Sequence, residues 1–299
     1  MPTRLVHMVV DAADPAALAR WWAEALGWAI TWEEPDEVAV EPPGPDGLGV
    51  PLVFVPVADP KVTKNRVHLD LRSADAGDQA AQVARLTGLG ARPADIGQGD
   101  VPWVVLADPE GNEFCVLDPR EEYAATGAVA AIVVDAADPA ALARFWSEAA
   151  RWPPAPPSGT AVSLRAPSGT GPFLEFLHVD EPKRVKNRLH LDVAPYRGDD
   201  HAAEVARLRA LGATPADVGQ GDVPWVVLAD PEGNEFCVLD PRDWYAGSGA
   251  LAAVVVDAAD PLALARFWSA AAGWPLAGSG DTWAALRSPS GSGPFVEFL

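Results

Sequence analysis

Apolar and polar residues in the N-terminal part of the chain follow a strand period, then a helix period, then a strand period again. Residues 4–10 form a short β-rich run, and Asp14 and Pro15 after it provide an N-cap and a first-turn proline. Apolar residues then recur at helical spacing up to Gly27, which is suited to end the helix. These residues are Leu18, Trp21, Trp22, Ala25 and Leu26. Further strands are predicted at 28–34, 37–43 and 50–57, so the pattern is β-α-β-β-β.

This βαβββ pattern recurs along the chain. A strand at 66–72 and a helix around 76–88 begin a second copy. This copy ends in a hairpin whose turn, 108–112, contains Gly111, a residue that can adopt a positive φ. Two longer segments recur along the chain: KNRVHLDL at 64–71 returns with two changes as KNRLHLDV at 186–193, and VVDAADPAALAR at 9–20 returns unchanged at 133–144. The sequence therefore predicts an α+β fold of tandem βαβββ modules paired into domains at 1–122 and 125–243. A fifth, unpaired module is predicted at 249–299.

Composition excludes several classes of partner. The net charge of −20 and the pI near 4.5 argue against nucleic acid and against an anionic membrane surface, because both need clustered Lys and Arg. No apolar run is long enough to span a bilayer, and the N-terminus lacks the pattern of a signal peptide. A cytoplasmic protein is expected, with Cys115 and Cys237 reduced, because each belongs to its own copy of the repeat.

Strand parity predicts which side chains face a cavity. His68 and Asp70 share the face opposite the apolar residues that pack on the helix, and Glu113 and Cys115 share the corresponding face of the last strand. Glu175 takes the open side of the strand at 172–177 by the same reasoning. Both cysteines are therefore expected to be cavity residues.

A paired βαβββ pattern with a histidine in the first strand and a last hairpin reading DPEGNEF resembles the vicinal oxygen chelate superfamily. That group contains glyoxalase I, extradiol dioxygenases and bleomycin-resistance proteins, and KNR-[VL]-HLD with DPEGNEFCVLD is similar to its glyoxalase-like branch. The resemblance covers essentially the whole chain. It implies a cup-shaped cavity that binds a small molecule, and in the enzymes of the group a divalent metal such as Zn²⁺, Ni²⁺ or Fe²⁺.

The resemblance also implies ligand positions. They fall on His7, Val53, His68 and Cys115 in the first unit, and on Ala131, Glu175, His190 and Cys237 in the second. The ligand-capable members make the first unit the favoured metal site, through His7 and His68 with Cys115 or Glu113 as the third ligand. Glu113 and Glu235 are the candidates for proton transfer, and Asp70 is expected to line the cavity. Trp103 and Trp225 either line it too or pack in the core.

Two functions of different classes follow. The first is a metal-assisted lyase, isomerase or extradiol-type dioxygenase. The second is a bleomycin-resistance-type protein that sequesters an aromatic or cationic compound without chemistry. The incomplete ligand set, with Val53 and Ala131 unable to ligate, favours the second or a diverged enzyme. Lys64, Asn65 and Arg66 either anchor the strand they precede or bind an anionic ligand, and the anchoring role is favoured.

The segment 249–299 follows 128–177 almost element by element and stops where the second unit continues into its partner module. A lone module exposes a sheet face and a strand edge, and such surfaces associate. The sequence therefore predicts either a fragment of a longer protein or a homo-oligomer formed through this half domain.

Overall fold

The computed structural model describes residues 3–43, 50–57, 61–156, 159–167, 169, 171–195, 199–219 and 223–240, with shorter stretches beyond them. Those stretches are 253–256, 262, 265–266, 269, 275–280, 284–287 and 295–298. The chain divides into two compact units, one of residues 1–42 and 48–241 and one of residues 43–47 and 242–299.

The first unit contains modules one to four. Modules one and two comprise β1 (Thr3–Ala12), α1 (Pro15–Leu26), β2 (Ala29–Glu34), β3 (Glu37–Glu41), β4 (Leu52–Pro56), β5 (Val67–Leu71), α2 (Ala76–Gly88), β6 (Arg92–Pro93), β7 (Val104–Ala107) and β8 (Glu113–Val116). A 3₁₀ turn, Glu121–Tyr123, follows. Modules three and four comprise β9 (Val129–Ala136), α3 (Pro139–Ala150), β10 (Val162–Arg165), β11 (Phe173–His178), β12 (Leu189–Pro195), α4 (His201–Ala210), β13 (Thr214–Pro215), β14 (Val226–Ala229) and β15 (Glu235–Val238).

The helix and turn signals act as the sequence predicted. The Asp14 side chain accepts a hydrogen bond from the backbone N–H of Ala17, and Gly27 ends α1 with a φ of 67°. Gly111 has a φ of 86° in the hairpin between β7 and β8. The predicted α+β fold of repeated βαβββ modules is confirmed.

The modules combine in an order that differs from the chain order. One sheet runs β13-β14-β15-β12-β1-β4-β3-β2, and the other runs β10-β11-β9-β5-β8-β7-β6. Each sheet is joined at its centre by antiparallel pairing of two first strands, β1 with β12 and β5 with β9. Module one therefore shares a sheet with module four, and module two with module three. The domain boundaries at 1–122 and 125–243 stay a prediction, but both sheets draw strands from both segments.

The two segments also differ in strand number. Within the described residues the first has eight strands, as expected, whereas the second has seven. The counterpart of β2 is reduced to an isolated bridge between Pro154 and Leu164. Proline lacks the N–H that a ladder requires, so the proline-rich stretch around Pro154 forms no regular strand.

The helix sides of both sheets pack into one apolar core. Trp22 of α1 packs edge-on against Phe114 of β8, and Trp146 of α3 packs in the same way against Phe236 of β15. Each helix is thus packed against the last strand of another module. Leucine and valine residues from both sheets complete the core.

The repeated KNR and DPEGNE motifs fasten the four modules together. Lys186 forms an ion pair with Asp11, and Arg188 binds the Asp11 backbone carbonyl at 2.7 Å and the Glu110 carboxylate at 3.1 Å. Glu110 also accepts hydrogen bonds from the backbone N–H groups of Ala13 and Asp14 at the start of α1. This set of contacts joins modules one, two and four.

A second copy of the set fastens module two to modules three and four. Lys64 pairs with Asp135, and Arg66 binds the Asp135 carbonyl and the Glu232 carboxylate. The anchoring role that the sequence favoured for Lys64 and Arg66 is confirmed by these contacts.

The second unit contains β16 (Ala253–Val256), β17 (Leu276–Ser279), β18 (Ala284–Arg287) and β19 (Phe295–Phe298) in one sheet of order β16-β19-β18-β17. The first module has the same order, β1-β4-β3-β2. The fifth βαβββ module predicted from the sequence is consistent with this sheet, and the rest of 249–299 lies largely outside the described residues. No helix in the described part of the chain is long and apolar enough to cross a membrane.

Replacing Glu110 by alanine should destabilise the fold by about 1–3 kcal/mol, because the variant loses a helix cap and an ion pair together. Urea unfolding of the Glu110→Ala variant measures this. Glu148→Ala, a change on the exposed face of α3, is the control and should change stability by less than about 0.5 kcal/mol. Equal stabilities for the two variants would contradict the proposed fastening role.

Candidate functional site

Two polar clusters lie where the first strands of paired modules meet. On the eight-stranded sheet the β1–β12 cluster consists of His7, His190, Asp192 and Cys237. On the seven-stranded sheet the β5–β9 cluster consists of His68, Asp70, Cys115 and Glu175. Each lies on the face away from the main core, which we call the cup face, because the intervening positions pack on the helices.

In the β1–β12 cluster, strand register brings the residues together. Cys237 pairs with Asp192, and Asp192 pairs with His7. His7 Nε2 lies 3.0 Å from Asp192 Oδ2, His190 Nε2 lies 3.4 Å from Asp192 Oδ1, and the Cys237 sulfur lies 3.5 Å from His190 Nε2. Asp192 Oδ1 is buried and has no hydrogen-bond partner. The donor atoms of His190, Asp192 and Cys237 lie within 4.8 Å of one another, and His7 joins this group through Asp192.

The β5–β9 cluster has the same backbone frame and different side chains. Asp70 pairs with Cys115 on one side and with Ala131 on the other, so an alanine stands where the first cluster has His7. Glu175, paired with Val133, stands where the other sheet has Val53. The combination His68, Asp70 and Cys115 keeps its donor atoms within 4.8 Å of one another, as does His190, Asp192 and Cys237.

The chain itself covers the β5–β9 cluster. The Tyr123 hydroxyl donates to both Glu175 oxygens, at 3.1 and 3.2 Å, and the Ser163 hydroxyl donates to Oε1 at 3.0 Å. The Tyr123 ring packs edge-on against Phe173. The His68 and Asp70 side chains are 9% and 10% exposed, and those of their counterparts His190 and Asp192 are 13% and 6% exposed. The β1–β12 cluster differs in having His7, whose side chain is 23% exposed, so solvent reaches this cluster through His7.

The two aspartates titrate in opposite directions. Burial raises the pKa of Asp70 to about 7. Burial also opposes ionisation of Asp192, but the charge and hydrogen bond of His7 and the charge of His190 outweigh it, so the pKa of Asp192 lies below its ordinary value. Burial lowers the pKa of His68 to about 3 and also lowers that of His190. Asp70 is therefore mostly protonated below about pH 7, whereas Asp192 carries its negative charge at and below the pH at which an ordinary aspartate ionises.

Burial raises the pKa of both thiols, Cys115 and Cys237, with the neighbouring aspartate adding to the shift. Both cysteines are free and buried on the cup faces, as the strand parity predicted. Without a metal or another cation nearby, these thiols stay protonated and are poor nucleophiles.

The predicted set of His7, His68 and Cys115 is not brought together. His7 lies on the eight-stranded sheet, and His68 and Cys115 lie on the seven-stranded sheet. The reason is that β1 pairs with the first strand of module four, so His7 joins His190 and Cys237 instead. Glu175 likewise joins His68 and Cys115 rather than His190. Asp70 belongs to the cluster on its sheet, and its role in lining a ligand cavity stays a prediction.

Glu113 and Glu235, the candidates for proton transfer, are engaged in ion pairs. Lys61 Nζ lies 2.7 Å from Glu113, and the backbone N–H of Asn65 also donates to it. Lys183 and Asn187 bind Glu235 in the same way, at 2.6 and 3.2 Å. The catalytic role of these glutamates stays a prediction, and their contacts favour a structural role.

The two tryptophans of the last hairpins are half-buried. Trp103 packs on the cup-face cluster that contains Cys115, Val105 and Tyr123, and Arg120 lies 5.8 Å from its ring centroid. Trp103 therefore lines the cup face, one of the two alternatives that the sequence left open.

Two site residues were missed in the sequence. Tyr123 lies in the connector after β8, outside any periodic element. Glu41 lies at the end of β3, two residues after Ala39, so strand parity alone would have placed it on the cup face with Ala39. Burial raises the pKa of Glu41 to about 7, partly offset by the Thr31 hydroxyl and by His7.

The donor set of the β1–β12 cluster fits a divalent metal. An imidazole, a carboxylate and a thiol, from His190, Asp192 and Cys237, suit Zn²⁺, Ni²⁺ or Fe²⁺, and a second imidazole, that of His7, is hydrogen-bonded to the carboxylate. Both clusters contain a buried carboxylate oxygen without a hydrogen-bond partner, Asp192 Oδ1 and Asp70 Oδ1, and the ionised state of Asp192 agrees better with a cation site. The β5–β9 cluster fits less well, because it lacks the second histidine and is covered by Tyr123.

Paired βαβββ modules with polar residues at the paired first strands define a glyoxalase-like protein. The sequence profile of the family described as Glyoxalase-like domain matches residues 7–117, 131–239 and 253–298, and the chain belongs to this family. No curated protein sequence matches the chain.

Solved structures confirm the fold. Glyoxalase I from Zea mays is similar, with a TM-score of 0.55 and 14% sequence identity over 80% of this chain and 92% of that one. A candidate dioxygenase from Bacillus subtilis has a TM-score of 0.54 and 12% identity over 80% of this chain and 86% of its own. The chain thus has the architecture of the vicinal oxygen chelate superfamily. At these identities the likeness concerns the fold alone.

The two aspartates should respond oppositely to the same substitution at pH 8. The pKa of Asp70 is higher in the folded state than in the unfolded state, so ionisation of this carboxyl group destabilises the fold as the pH rises through these two pKa values. The Asp70→Asn variant, which cannot ionise, should therefore be more stable than the wild-type protein at pH 8. The pKa of Asp192 is lower in the folded state than in the unfolded state, so its ionised form stabilises the fold above the unfolded-state pKa, and this stabilisation is lost as the pH falls through the folded-state pKa. The Asp192→Asn variant should therefore be less stable than the wild-type protein at pH 8. Shifts of about 1–3 kcal/mol in urea unfolding are expected.

Both differences should shrink as the pH falls, that for Asp70 below its unfolded-state pKa of about 4 and that for Asp192 as the pH passes its lowered folded-state pKa. Because Asp70 and Asp192 both end the motif KNR-[VL]-HLD, each variant is the control for the other. Shifts of the same sign at pH 8 would contradict the electrostatic difference between the clusters.

Proposed function

We propose that the chain binds one divalent metal ion and a small oxygen-bearing molecule at the β1–β12 cluster, and that it acts there as a metal-assisted lyase or isomerase. The observation that carries the proposal is the convergence of His7, His190, Asp192 and Cys237 on a partly open sheet face. Family membership supports a small-molecule ligand but does not fix the reaction, because this fold hosts many functions.

The residues of the cluster would have distinct tasks. His190, Asp192 and Cys237 would hold the metal, and His7, hydrogen-bonded to Asp192, would either complete the set or orient that carboxylate. A bound divalent metal polarises an oxygen of its ligand and so favours removal of a neighbouring proton. The apolar residues beside the cluster, Val9, Val53 and Ala39, would exclude water from one side of the ligand.

Metal-free sequestration of a small molecule is the second candidate function. It is favoured by Val53, which stands where the other sheet has Glu175 and offers no ligand atom. A cup face with an apolar floor and few polar groups is typical of binding sites that carry out no chemistry.

Metal analysis of the purified, zinc-loaded protein tests the proposal. After dialysis, about one zinc ion per chain should remain in the wild-type protein, because the donor set is closed enough to retain it. His190→Ala should abolish retention, whereas His68→Ala, the same change in the covered cluster, should leave it unchanged. Loss of zinc in the His68 variant alone, or no zinc in the wild-type protein, would overturn the proposed metal site.

A further inference from the structure

Glu41 lies in the same row of side chains as the β1–β12 cluster. Val9 pairs with Val53, and Val53 pairs with Ala39, so these residues form one row across β1, β4 and β3. β1 runs parallel to β4 and β3 runs antiparallel to it. A step of two residues back from Val9 to His7 on β1 therefore corresponds to a step of two residues forward from Ala39 to Glu41 on β3. His7 and Glu41 therefore fall in the next row, two strand spacings or about 10 Å apart at the backbone.

The surface between the cluster and Glu41 is apolar. Val9, Ala39 and Val53 form a small hydrophobic group of their own on the cup face, separate from the main core, and Trp32 and Val55 pack against it. A ligand that lies across this floor would have one end at His7 and the other at Glu41.

Glu41 is half-buried and has no lysine or arginine paired with it among the described residues. The other partly buried glutamates described above have such a partner: Glu110, Glu113, Glu232 and Glu235. Burial raises the pKa of Glu41, and the Thr31 hydroxyl and His7 offset this only in part, with no lysine or arginine of the described residues paired to the carboxyl group. A ligand cation would supply the missing partner.

The other sheet has the opposite charge at this position. Arg165 pairs with Phe173, which pairs with Ala131, so Arg165 is the counterpart of Glu41. Its guanidinium lies 4.2 Å from the Phe173 ring centroid and donates to the Ala125 carbonyl, so it belongs to the covered cluster. The negative charge is thus specific to the open sheet.

We propose that Glu41 determines ligand specificity by binding the cationic end of a small molecule whose oxygen-bearing end lies at the β1–β12 cluster and whose apolar body packs on Val9, Val53 and Ala39. The chemical class is an amine with a short apolar body and an oxygen-bearing far end. This inference rests on the proposed function, since it takes the cluster as the site that holds the oxygens.

Two matched probes test the inference in the zinc-loaded full chain. The probes are 3,4-dihydroxyphenethylamine and 3,4-dihydroxyphenylacetate, which share a catechol and carry opposite charges, and calorimetry measures their dissociation constants. Wild-type protein should bind the amine about tenfold more tightly than the acid, a preference of the size expected for one partly desolvated charge pair. Glu41→Gln should reduce the preference to less than about threefold, and Glu41→Lys should reverse it.

Glu24→Gln removes the same charge from the exposed face of α1 and should keep the wild-type preference. If the wild-type protein binds both probes equally, or if Glu41→Gln keeps the preference, the role of Glu41 is wrong while the proposed binding site stands. If neither probe binds to the zinc-loaded protein, the proposed site and the inference built on it are both wrong.

Discussion

Antiparallel pairing between the first strands of modules that are not neighbours in the chain determines which side chains of this protein meet. β1 pairs with β12 and β5 pairs with β9, so each sheet is assembled from two modules that come from different halves of the repeat. Ion pairs of Lys186 with Asp11 and of Lys64 with Asp135 hold this arrangement. Arg188 and Arg66 add hydrogen bonds to the backbone carbonyls of the same two aspartates. Both polar clusters are consequences of it, because every member lies on a paired first strand or on a strand adjacent to one.

The two clusters show how one residue changes the chemistry of an otherwise repeated site. Both contain the sequence His-Leu-Asp and a cysteine from an identical hairpin. The first has His7 beside its aspartate, and the second has Ala131. The imidazole keeps Asp192 ionised, whereas Asp70, without such a partner, is held neutral by burial up to about pH 7. Tyr123 then covers the neutral cluster, and the charged one remains the candidate for a metal and a ligand.

Much of the fold could be predicted from the sequence, because helix caps, strand periods and turn glycines are local signals. Asp14, Gly27 and Gly111 act where they were expected to act. Strand parity also placed His68, Asp70 and both cysteines on the correct face.

The partnership between modules could not be predicted, since four similar modules can combine in more than one way and the deciding contacts, such as Arg188 with Glu110, are far apart in the chain. For this reason His7 was grouped with His68 instead of His190. Tyr123 was not predicted as a site residue because it lies in a connector, where no periodic pattern indicates which side chains pack on the cup face.

Cobalt substitution tests most directly whether the β1–β12 cluster is the working site. Co²⁺ bound to a thiolate gives a ligand-to-metal charge-transfer band in the near ultraviolet, and the two cysteines of the chain lie in different clusters. The band should appear on titration of the wild-type protein with Co²⁺, persist in Cys115→Ser and disappear in Cys237→Ser. A band that is lost in Cys115→Ser and kept in Cys237→Ser would contradict the account.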